Sequence, residues 1–202
     1  VRRDDSMTDG RLLRGARSRQ AITRHAVDVA SLEGLNGLSL GRLATDLGLS
    51  KSGIQTLFRT KENLHLATID TAAREFYEAV VAPALPAPEG LARLSALIDR
   101  WIVYAETPLF EGGCFWAANL PDFDSRPGPV RDALVNQHNS WRTLLSTELT
   151  HAIKAGELAA KDPEMTAFHI DAVLMATNTA LRLNTPKATA TARRIINSVV
   201  TS

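Results

Sequence analysis

Apolar residues recur along this chain at the 3.6-residue period of helices buried on one side. Nowhere do they alternate over a short run flanked by turn signals, as a half-buried strand requires. From Ala16 to Glu33 the pattern runs through Ile22, Ala26, Val29 and Ala30, and Gly34 with Asn36-Gly37 supplies left-handed stop residues behind it. Ser39 is placed to cap a short helix reaching Leu47, Gly48 breaks it, and Ser50 caps another ending near Phe58. Thr60-Lys61-Glu62-Asn63 opens a longer helix to about Val81, where Pro83, Pro86 and Pro88 mark a linker and a domain boundary.

Past those prolines, Glu89 to Glu106 carries Leu91, Leu94, Leu97, Ile98 and Trp101 on one face, until Pro108 and Gly112-Gly113 interrupt it. A short helix from about Cys114 to Leu120 precedes an irregular stretch, Pro121 to Pro129. Three long periodic segments remain, Val130 to Ala155, Pro163 to Leu183 and Lys187 to Val200, separated by Gly156 and Thr185-Pro186. The first residues, VRRDDSMTDG, lack an apolar period and read as a loose arm. The expectation is an all-α chain of about nine helices without internal repeats.

With 202 residues, 45% hydrophobic and 22% charged, the composition is globular and excludes disordered and fibrous classes. Uncharged stretches such as Ala172 to Leu181 reach only about ten residues, where a membrane span needs about twenty. No apolar core follows the charged start, so no secretory leader is expected, and the single cysteine makes neither an intramolecular disulfide nor, unaided, a zinc site. The expected setting is the cytoplasm, with no membrane partner and no cofactor. The net charge of +1 conceals an asymmetry: residues 1–65 hold 11 Lys+Arg against 7 Asp+Glu, and the remainder is net negative.

That basic third contains the segment with the most specific chemistry. Two short helices crossing steeply need a small residue where they approach, here Ala44, and a left-handed turn residue four positions on, here Gly48. Leu40, Leu43, Leu47, Leu49, Ile54 and Leu57 are expected to share a core beneath them. A generic αα-hairpin shares some of this spacing, but the remaining positions are polar in the way a helix-turn-helix requires. On the second helix Ser50, Lys51, Ser52, Gln55 and Thr56 are short or bidentate groups suited to base edges and phosphates, and the Gln55 amide pairs well with adenine. Ser39, Arg42, Arg59 and Lys61 flank it as candidate phosphate contacts.

The stretch GLSLGRLATDLGLSKSGIQTLFRTKENL, with Phe58 near the end of the motif and Lys61-Glu62 opening the next helix, resembles the TetR family of transcriptional regulators. Most members carry a tyrosine where this chain has Gln55, and an aromatic pair where it has Thr56-Leu57, so the aromatic phosphate contact does not carry over. GGCF at Gly112 to Phe115, and FDSRPGPVRDA after it, resemble a subgroup with a distinctive effector domain. The resemblance implies a flexible arm at 1–15, a DNA-binding domain at 16–61, and an effector-binding and dimerisation domain at 62–202. It also implies a homodimer through the last two helices, a palindromic double-stranded operator, and a small-molecule effector that releases a repressor from DNA. The helix after the motif is then expected to be the one segment touching both domains.

For the effector site, Trp101, Tyr104, Cys114, Phe115, Trp116, Asn119, Phe123, His138 and Trp141 supply aromatic walls with a few polar handles. Core packing would use the same residues. Ala172, Ala176 and Ala180 with Leu174, and Ile195, Ile196, Val199 and Val200, offer apolar faces for a dimer or for an internal core. Cys114 follows two glycines at a helix start, where the positive end of the helix dipole favours a thiolate, which leaves a redox-sensing regulator or a cysteine enzyme as alternatives. No His or acid lies beside it in sequence, and His25, His65, His138, His151 and His169 have no metal-binding spacing, so an enzyme is not the expected reading.

Overall fold

The computed structural model describes residues 5–201, with side chains described from residue 18 on. The described residues form nine α-helices and no strand, as the periodicity predicts. They are α1 (Asp5–Glu33), α2 (Leu40–Asp46), α3 (Lys51–Phe58), α4 (Lys61–Phe76), α5 (Leu91–Glu106), α6 (Phe115–Phe123), α7 (Pro129–Lys154), α8 (Pro163–Arg182) and α9 (Ala188–Thr201). The expected loose arm is helical from Asp5, and residues 1–4 lie outside the described residues. Extending a nucleated helix adds one backbone bond for each residue fixed, which carries α1 through this stretch without an apolar stripe.

Side-chain caps start the helices of the motif where the sequence places them. Ser39 accepts from the Arg42 N–H at 3.1 Å, Ser50 from Gly53 at 3.1 Å, and Thr60 from Asn63 at 3.0 Å. Each such cap stabilises its helix by about 1 kcal/mol. Gly34 ends α1 at φ 74°, but Asn36 and Gly37 are not left-handed, and Leu35–Gly37 instead form a 3-10 turn. The shared core is narrower than expected. Leu43, Ala44 and Ile54 are buried with Leu38 and Phe58, whereas Leu40, Leu47 and Leu57 are partly buried and Leu49 is 44% exposed. Leu49 lies on the turn between α2 and α3, which runs over the surface.

Past Phe76 the α4 helix widens into a π-helical turn, Tyr77–Val81, and then a 3-10 turn, Ala82–Ala84. Val80, Val81 and Ala84 are buried, and these turns pack on α5, so the proline-rich segment is a bend within one core. That core is continuous from Ile22 to Val200. The α6 helix runs to Phe123, past the expected end at Leu120, with Pro121 inside it. The ring removes only one backbone bond, and buried Phe123 anchors the final turn.

The α7 helix packs against α4, α5, α6 and α8, and α8 pairs with α9. Two elements seat on α1 from this side, α4 and also α6, so α4 is not the sole bridge to the motif. The second seat is dense in hydrogen bonds, because Asn119 of α6 accepts from the Leu35 N–H at 2.6 Å and donates to the carbonyls of Ala30 and Phe115. Ahead of α6, Gly112 donates to Ser31 Oγ at 2.8 Å, and a Cβ at Gly112 would stand 2.0 Å from the Ser31 carbonyl oxygen. Only glycine fits there.

Candidate nucleic-acid surface and ligand cavity

The α3 helix turns Ile54 and Phe58 inward and leaves Lys51, Ser52, Gln55 and Thr56 in solvent, the alternation its sequence implies. Most of these polar groups are paired locally. Thr56 Oγ1 donates to the Ser52 carbonyl at 2.8 Å, Ser52 Oγ to Ser50 Oγ at 3.3 Å, and the Gln55 amide to the carbonyl of Arg59. These are solvent-exposed bonds, and little is lost when such bonds exchange for others. Arg59 itself has φ 64° and ψ −54°, and Thr60 N–H donates across it to the Phe58 carbonyl at 2.7 Å, a γ-turn of the strained hand. This turn lets α4 start immediately after α3 and leaves the Arg59 side chain exposed beside the recognition face.

The flanking candidates divide. Arg42 is paired with both carboxylate oxygens of Glu33 and with Asp46 at 3.4 Å, and Asp46 also accepts from His25 Nε2 at 3.0 Å. The Arg42 guanidinium holds Glu33 below the usual carboxylate range, and His25, with Arg42 behind it, does the same for Asp46. This chain of charges ties α2 to the end of α1, so Arg42 is a strut of the motif. Lys61 Nζ donates to the Asn36 carbonyl at 3.2 Å, and the Ser39 and Ser50 hydroxyls serve as caps. Sequence reasoning missed Arg19, which donates to the Leu57 carbonyl at 2.9 Å and lies 4.7 Å above the Phe58 ring. It pins the C-terminal end of α3 to α1, where a cation also opposes the helix dipole.

In the second half of the molecule, α4, α5, α6, α7 and α8 enclose a cavity of about 350 Å³. Its walls include Trp101, Cys114, Trp116, His138 and Trp141 from the expected set. Tyr104, Phe115, Asn119 and Phe123 do not line it. Tyr104 and Phe115 stand in the wall behind, the Tyr104 hydroxyl accepting from the Phe115 N–H at 3.2 Å. Asn119 belongs to the seat on α1, and Phe123 packs edge-on to His65. The sequence did not single out Phe76 at the end of α4, Tyr77, Val81 and Leu85 from the turns that follow it, Gln137 and Ser140 from α7, or Asp171 and Met175 from α8. One signal was available: Asp171 interrupts the buried stripe Ala167, Ile170, Leu174 of α8 with a charge.

His138 Nε2 lies 2.9 Å from Asp171 Oδ2, joining α7 to α8 across the cavity wall. The Trp116 and Trp141 indole N–H groups are buried with no hydrogen-bond partner among the described residues. An unpaired buried donor costs about 1–3 kcal/mol, which is tolerable where a ligand can supply an acceptor. Phe76 sits edge-on to Tyr104, Trp116 and Trp141, at ring separations of 5.3, 5.1 and 5.5 Å, so the helix that follows α3 ends among the rings of the cavity. Cys114 is buried, and burial pushes its thiol up, against the thiolate expected at a helix start. Among the described residues no group of three or more His, Cys, Asp or Glu gathers as a metal site.

A profile of the tetracyclin repressor-like C-terminal domain matches residues 90–196, more than half of the chain. The chain belongs to the TetR family. Its members are DNA-binding transcriptional regulators rather than enzymes. No curated protein matches the chain in sequence. Solved structures share the fold: a TetR regulator from Chloroflexus aurantiacus J-10-FL has a TM-score of 0.80 at 24% identity, covering 92% of this chain and 93% of that one. A TetR-family regulator from Agrobacterium tumefaciens has a TM-score of 0.78 at 20% identity over 92% and 99% of the two chains. AibR, solved with isovaleryl coenzyme A and operator DNA, has a TM-score of 0.68 at 19% identity over 80% and 85%. No helix among the described residues is long and apolar enough to cross a membrane.

On α8 and α9 there are two kinds of apolar residue. Leu174, Ile196 and Val200 are buried within this chain. They complete its own core and are unavailable to a partner. Facing outward instead are Met165, Phe168, Ala172 and Ala176, spaced three and four apart along α8, with Ile195 on α9.

Proposed function

We propose that this TetR-family protein is a dimeric repressor whose two α3 helices enter successive major grooves of a palindromic operator, and that a small apolar or aromatic molecule in the cavity releases it. Residues 16–61 act as the DNA-reading unit and 62–202 as the effector and dimer unit. The observation that carries this reading is the position of Phe76. It lies on α4, which begins directly after α3, and it touches the rings of Trp116 and Trp141 in the cavity wall. AibR, with both an acyl coenzyme A and operator DNA bound, is a precedent for the two kinds of partner on this fold.

In this reading Gln55 reads one base pair, Lys51, Arg59 and Lys61 neutralise phosphates, and Ser52 and Thr56 release their local bonds to reach the groove. Trp101, Trp116 and Trp141 grip the effector, with His138 and Asp171 orienting it. The stripe Met165, Phe168, Ala172, Ala176 on α8 and Ile195 on α9 form the two-fold contact. Nothing favours the redox alternative, since a thiol raised by burial is a poor nucleophile.

Light scattering and duplex titration test this directly. The protein should be a dimer, and Phe168→Arg should give monomers with weak DNA binding. Lys51→Ala should weaken binding to every duplex and flatten the dependence of log affinity on log salt by about one unit, while Gln55→Ala should relax one base position per half-site. A monomeric protein, or one with no salt-dependent binding to any duplex, contradicts the proposal.

A further inference from the structure

Building on the cavity as the effector site, we propose that its natural occupant is a lipophilic cation, an amine or quaternary ammonium carried on an apolar or aromatic body. The cavity wall holds five aromatic side chains, Phe76, Tyr77, Trp101, Trp116 and Trp141, one acid, Asp171, and no lysine or arginine. A carboxylate or phosphate entering it would lose its water and face the Asp171 carboxylate with no lysine or arginine at the wall to receive it, and burying an uncompensated charge is among the costliest events in a protein interior. A cation meets the opposite. Aromatic faces carry the negative side of their quadrupole toward it, and a carboxylate waits at the wall.

Asp171 is arranged to keep that role. It is 7% exposed, one oxygen accepts from His138 Nε2 at 2.9 Å, and the other takes no hydrogen bond among the described residues. Its contact with His138 Nε2 holds the carboxylate in place at the wall. Burial chiefly raises the Cys114 thiol at the start of α6, and the Asp171 carboxylate adds a small part to that rise. Arg182, whose methylenes pack beside Gly113, is not part of the wall. The unpaired N–H groups of Trp116 and Trp141 suit an ether or carbonyl oxygen on the body of the same molecule, and as neutral donors they do not replace a cation for an acidic ligand.

Three probes of equal chain length separate charge from hydrophobicity: octyltrimethylammonium, octanol and octanoate, each below its micelle concentration. Binding is read by tryptophan fluorescence and by thermal shift. The ammonium should bind at least about tenfold more tightly than octanol, and octanoate most weakly. Asp171→Asn, which keeps the shape of the side chain, should bring the ratio of ammonium to alcohol affinity close to one. Trp101→Leu should lower the same ratio by removing a ring face, which guards against the first variant failing to fold. If octanol or octanoate binds as tightly as the ammonium, or if both variants keep the wild-type ratio, the charge assignment is wrong while the cavity stands as the effector site. If none of the three binds, both the charge assignment and the cavity reading fall.

Discussion

The recognition face and the cavity are built by opposite means. Most of what shapes the face lies between Ser39 and Lys61, namely two serine caps, a threonine cap, a γ-turn and locally paired side chains, with Arg19, His25 and Glu33 of α1 as its struts from outside. The cavity takes its wall from five helices, and its polar pair, His138 and Asp171, is 33 residues apart in sequence. A face assembled locally tolerates change one bond at a time. A cavity assembled from distant elements depends on the seats that hold those elements together, and those seats are where its stability and its communication with the motif concentrate.

The largest expected effect is at Gly112, which fastens the start of the α6 wall to α1. Any side chain there meets the Ser31 carbonyl, so Gly112→Val should destabilise the protein by about 3–5 kcal/mol, measured by urea denaturation. Next comes His65 on α4, buried at the joint beside Phe123. Burial, with the charge of Lys61 adding to it, lowers its pKa to about 4 from 6.5. The folded protein therefore keeps the imidazole neutral where the unfolded chain binds a proton. This contribution is fully present above about pH 6.5 and is lost as pH falls toward 4, by about 3 kcal/mol in all. Comparing His65→Leu with the wild type at pH 7.5 and 4.5 should show a much smaller acid loss in the variant.

The recognition face should respond least. Ser50→Ala removes one cap bond and should cost about 1 kcal/mol. If it destabilised the protein as much as Gly112→Val, the contrast between a local face and a distributed cavity would fail.

The same contrast explains what could be read from the sequence. Caps, helix breaks and the outward positions of α3 follow from residues within one or two turns, so Ser39, Ser50, Gly48 and Gln55 are legible from spacing alone. Arg42 was not legible as a strut, because its partner Glu33 is on another helix. Leu174 and Ile196 look the same in sequence as Phe168 and Ile195, and only the packing of α8 on α9 separates core from outer face. The aromatic cluster gathers around the cavity, yet Tyr104, Phe115, Asn119 and Phe123 do not line it, because they pack in the wall behind it and in the seat on α1. The π-helical turn at Tyr77–Val81, which brings Tyr77 and Val81 to the cavity, has no marker in the sequence beyond the prolines that follow it.

The central claim is that filling the cavity changes how the two recognition helices meet DNA. It is tested most directly by titrating the protein against a duplex selected from a random pool, with the cavity empty and then saturated with the tightest-binding octyl probe. The account predicts that saturation weakens duplex binding by roughly 5- to 150-fold, and that saturating duplex weakens the probe by the same factor, since coupling is reciprocal. Equal duplex affinity with the cavity full and empty would contradict it.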